Sequence, residues 1–68
     1  MEKPKYKLND RVTFTLGNKV IIGTIAIVDV HGTWENPTEP SYDILGIENG
    51  TKILFKHIPE SLVELCKN

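Results

Sequence analysis

Sixty-eight residues with a single cysteine make one domain, exclude an internal disulfide, and leave little room for a catalytic cleft beside the core. Net charge is −1, and the single cysteine fits a reducing compartment. With no apolar run near the membrane-spanning length of about 18 residues, and no apolar stretch behind the basic start Met1–Lys7 to make a secretory signal, the expected location is the cytoplasm, with no membrane partner.

The charge is unevenly spread. Residues 1–19 carry five Lys/Arg against two acids, and residues 52–68 carry three lysines against two acids. Between them, residues 20–51 carry no cation and five acids: Asp29, Glu35, Glu39, Asp43 and Glu48. A phosphate-binding surface needs clustered cations, so any nucleic-acid contact falls to the two ends.

Residues 1–7 read as a flexible basic tail, ordered only near Tyr6, and residues 8–66 as the folded domain. In the first strand, Arg11–Leu16, Val12, Phe14 and Leu16 alternate with polar neighbours, the period of a half-buried strand. Gly17-Asn18 is a hairpin signal. The second strand, Lys19–Val30, is too long to stay flat in so small a domain, and Gly23 is where a bend or bulge is expected. Around Val20-Ile21-Ile22 both faces are apolar, which suggests an intersheet bend or a second buried surface.

Residues 31–40 form the long loop, punctuated by Gly32, Asn36, Pro37 and Pro40. Strand character resumes over Ser41–Ile47. Asn49-Gly50 is the strongest hairpin signal of the chain, and a fourth strand follows over Lys52–Phe55. Ile58-Pro59-Glu60-Ser61 reads as one tight helical turn and Leu62–Leu65 as a fifth strand. The expected core is Val12, Phe14, Leu16, Ile22, Ile25, Val28, Ile44, Ile53, Phe55, Ile58, Leu62 and Leu65.

Three pieces of sequence resemble the SH3-like barrels, and among them the bacterial Tudor- and KOW-like small barrels. Asn9-Asp10-Arg11-Val12 resembles their G-D-x-V opening, with Asn9 where Gly is usual. Gly23-Thr24-Ile25-Ala26-Ile27-Val28 resembles the G-x-I/V-x-x-V of their second strand. Ser41-Tyr42-Asp43-Ile44 with His57-Ile58-Pro59-Glu60-Ser61-Leu62 resembles a close found in short, uncharacterised bacterial proteins, several of them encoded by phages or mobile elements. The resemblance implies an all-β fold: a single five-stranded antiparallel SH3-like barrel with one short helical turn before the last strand. It says little of function, because such barrels host many unrelated roles.

The functional expectation is a non-catalytic binding or adaptor module without a cofactor. Its contact surface is the acidic loop over residues 31–43. Trp34 and Tyr42 are its aromatic anchors, and Asp29, Glu35, Glu39 and Asp43 steer a basic protein partner. The alternative is a nucleic-acid-associated barrel using Lys5, Lys7, Arg11, Lys19, Lys52 and Lys56. Self-pairing through a strand edge would make a weak homodimer in place of a monomer. His31, His57 and Cys66 lack metal-ligand spacing, and Ser61 and Cys66 lack the base that would activate a nucleophile. Pro37-Thr38-Glu39-Pro40 and Asn49-Gly50-Thr51 read as loop and turn chemistry, not as a polyproline ligand or a glycosylation site.

Overall fold

The computed structural model describes residues 3–32, 34 and 37–66. The chain is all-β: β1 (Arg11–Leu16), β2 (Lys19–Asp29), β3 (Ser41–Glu48), β4 (Thr51–Pro59), a 3-10 turn (Glu60–Leu62) and β5 (Val63–Leu65). The strands form one antiparallel sheet in the order β4-β3-β2-β1-β5. β4 and β5 are its two edges, so the ladder is open where a closed barrel would join them.

Turn chemistry sets the register. Leu16 pairs with Lys19 across Gly17-Asn18, where Gly17 takes a φ of 63°. Glu48 pairs with Thr51 across Asn49-Gly50, with both turn residues at positive φ, as a type I′ turn requires. Asn9, which stands in the glycine position of the barrel-opening motif, has a φ of 73°. Asparagine tolerates this left-handed conformation better than other residues with a Cβ.

Two bulges bend the sheet. In β2 the pairing steps from Ile25↔Ile44 to Ile27↔Asp43, leaving Ala26 as the extra residue. In the β3–β4 ladder it steps from Tyr42↔Ile58 to Ile44↔Phe55, and the extra residue on β4 includes His57 at a φ of 61°. The kink expected at Gly23 therefore sits slightly further along the strand. Gly23 has a different task. It pairs with Gly46, and a Cβ there would lie 2.6 Å from the Leu45 carbonyl oxygen and 2.7 Å from Ile44.

The core is Val12, Phe14, Ile21, Ile25, Tyr42, Ile44, Ile58 and Val63, with Tyr6, Val28 and Phe55 packed against it. Phe14 and Phe55 meet edge to face with centroids 5.2 Å apart. Four expected core residues, Leu16, Ile22, Leu62 and Leu65, are exposed. Register explains the change at β2: Phe14 faces Ile21 and Val12 faces Gly23, so Ile21, Gly23 and Ile25 point inward and Ile22 outward. At the last strand Val63 lies opposite Phe14 and is buried, while Leu65, on the same face opposite Val12, stays exposed on the edge strand.

Candidate functional site

Two regions hold the residues singled out from the sequence. The first is the end of the sheet beside the long loop. Tyr42 is fully buried there, and this corrects its expected place on a rim shared with Trp34. Its hydroxyl donates to the Glu60 carboxylate at 2.7 Å and accepts from the Tyr6 backbone N–H at 3.3 Å. The Tyr6 ring packs edge to face on Tyr42, and its own hydroxyl donates to the Val63 carbonyl at 2.8 Å. Glu60, only 6% exposed, also accepts the Lys5 N–H at 2.9 Å. Residues 5 and 6, expected within the tail, are thus clasped to the sheet. Burial, reinforced by the hydrogen bond to Glu60 and its charge, pushes the Tyr42 hydroxyl from 10.0 up to about 12.

The acids expected to steer a partner mostly hold backbone in place. Asp29 accepts the His31 N–H at 3.0 Å, closing the turn that ends β2. Glu39 accepts both the N–H and the hydroxyl of Ser61, tying the loop to the 3-10 turn. Asp43 accepts the His57 N–H at 3.1 Å and so supports the left-handed residue of the β4 bulge. Glu35 lies outside the described residues. Trp34 is different, because its side chain is fully exposed.

The second region is the outer face of the sheet, where Ile22, expected in the core, helps to line an exposed groove. Here β2 presents Val20 and Ile22, β3 presents Leu45 and Ile47, and β4 presents Leu54, all between 41% and 68% exposed. Leu45 pairs with Leu54, so the row crosses from strand to strand. Val20, Ile22, Leu45 and Ile47 line a groove of about 470 Å³, with the backbone of the Gly23–Gly46 pair in its wall. Thr24, Arg11 of β1 and Lys52 of β4 complete the lining, and neither of the two cations enters an ion pair among the described residues. Of the other cations considered for nucleic acid, Lys19 turns to Glu48 at 3.2 Å. Lys5, Lys7 and Lys56 are exposed and lie outside the groove. The apolar triplet Val20-Ile21-Ile22 was the signal in the sequence: one of its faces is core, the other this groove.

Among the described residues, no three His, Cys, Asp or Glu side chains converge on a metal position, and no helix is long and apolar enough to cross a membrane. Comparison with protein-family models, curated proteins and solved structures returns no match for this chain.

Proposed function

We propose that the chain is a non-catalytic protein-binding module, of the SH3-like kind that its motifs resemble, with the outer face of the sheet as its main contact surface. The observation that carries this reading is the row of five exposed aliphatic side chains across β2, β3 and β4. Isolated exposed leucines are ordinary, but a contiguous apolar patch at a groove is characteristic of an interaction site. The contrast within the sheet supports it: on the same face β1 carries Thr13 and Thr15, the hydrophilic choice a solvated strand permits. Trp34 is a second anchor at the far end of the β2–β3 hairpin, with Asp29, Glu39 and Asp43 lending that end a negative field. Two cations beside an aliphatic floor give little of the phosphate neutralisation on which nucleic-acid binding depends, which favours a protein partner.

Peptide display against the intact chain, counter-selected with Ile22→Glu, tests the proposal. Selected peptides should shift the amide resonances of Val20, Ile22, Leu45 and Ile47 and should lose binding to the variant. Selection of peptides that leave those resonances unmoved would sink the outer-face reading.

A further inference from the structure

We propose that the segment seated on this outer face is an acidic amphipathic helix supplied by another protein. The proposal rests on the reading of the groove as a binding surface and adds the chemistry and shape of its occupant.

Charge supplies the first argument. Arg11 and Lys52 both line the groove and make no ion pair among the described residues, whereas Lys19, outside the groove, is already matched by Glu48. An incoming carboxylate would find an unmatched cation on either side of an aliphatic floor. A second copy of this chain is a poorer occupant. Laying two outer faces together brings four such cations to one apolar seam, and like charges there oppose association.

Geometry supplies the second argument. Arg11 stands on β1 and Lys52 on β4, at opposite margins of the β1–β4 block of the sheet. Three strand spacings separate them, roughly 14 Å at the usual interval. A helix with its side chains is about 10–12 Å across, so it fits between the two cations with its apolar stripe on the floor. The pairing register offsets the two cations along the strands. Arg11 aligns through Thr24 with Leu45, while Lys52 aligns with Ile47, two residues further along β3. Acids on the two flanks of a helix, about one turn apart, meet such an offset. The layer logic is the general one: an apolar sheet face is covered by a helix or by another sheet.

Two synthetic helical peptides of about four turns, the length of an ordinary helix, test the inference against the full chain. They share one leucine stripe; one carries glutamates on both flanks, the other lysines. Binding is read by amide chemical shifts and fluorescence anisotropy. The glutamate peptide should bind at least about tenfold tighter, a difference near 1.4 kcal/mol, and its advantage should shrink with salt. The Arg11→Glu/Lys52→Glu double variant should reverse the preference. Equal binding of both peptides at Ile22 and Ile47 would overturn the acidic partner while keeping the groove. Binding of neither there would overturn both. Concentration-dependent dimerisation of the free chain, abolished by Ile22→Glu, would give the face to a second copy and end the proposal.

Discussion

The loop end of the sheet and its outer face use the same kinds of residue in opposite ways. At the loop end, Asp29, Glu39, Asp43 and Glu60 each accept hydrogen bonds from within the chain, and Tyr42 is buried. On the outer face, aliphatic side chains stay in water, and Arg11 and Lys52 have no ionic partner among the described residues. A domain with so thin a core can spare few groups, so a residue's present engagement separates those that hold the fold from those left to solvent. The acidic segment that looks most like a recognition loop mostly holds backbone in place, Trp34 apart, and the strand segment that looks most like core turns half of its apolar side chains to solvent.

Two isoleucines of β3 give the sharpest way to break this contrast. Ile44 is fully buried and Ile47 is 58% exposed on the other face. Ile44→Ala should cost about 2–5 kcal/mol in urea unfolding, while Ile47→Ala should stay within about 0.5 kcal/mol. Similar losses at both sites would mean that the outer face carries packing of its own. Gly23→Ala comes next, because its Cβ would press on the Leu45 backbone; overpacking of this kind costs about 1–3 kcal/mol.

Tyr42→Phe leaves the buried Glu60 carboxylate one donor short and should destabilise by about 1–3 kcal/mol. The same pair predicts a pH dependence. The folded chain holds the Tyr42 proton more tightly than the unfolded chain does, up to about 12 against 10.0. The resulting stability is complete below pH 10 and drains away as pH climbs from 10 to 12. Denaturant melts across that window should show a fall that Tyr42→Phe reduces; an unchanged slope would deny Tyr42 this role. The smallest effect belongs to the bulge. Glycine at position 57 relieves a left-handed φ of 61° without removing the N–H that Asp43 accepts, so His57→Gly should stabilise by about 0.5 kcal/mol. A loss in thermal melts would show that the imidazole contributes more than the backbone strain costs.

How far the sequence reaches depends on the range of the signal. Hairpin turns are local, and Gly17-Asn18 and Asn49-Gly50 announce both of them together with the strands they join. The all-β class follows from the same short-range pattern. Face assignment is not local: where Val20, Ile21 and Ile22 are all apolar, only pairing with Phe14 and Val12 decides which side is core. Nor could sequence show that Tyr42 would meet Glu60, or Glu39 meet Ser61, because a carboxylate awaiting a distant backbone N–H looks the same as one facing water. The end of β4 hid for a related reason. The sequence pattern ends the fourth strand at Phe55 and begins a tight turn at Ile58, yet β4 runs to Pro59: a bulge absorbs His57 and the strand's last position accommodates the proline.

The clasp between residues 5–6 and residues 60–63 has a consequence for biosynthesis. The Lys5 N–H waits for Glu60, the Tyr6 hydroxyl for Val63, and Phe14 for its strand partner Val63. At the usual pace of translation the intervening stretch of about 50 residues takes several seconds to make. Over that interval the first hairpin has no β5 to complete it, and the aliphatic faces of β2 are open on both sides. The clasp can therefore close only after β5 has been made.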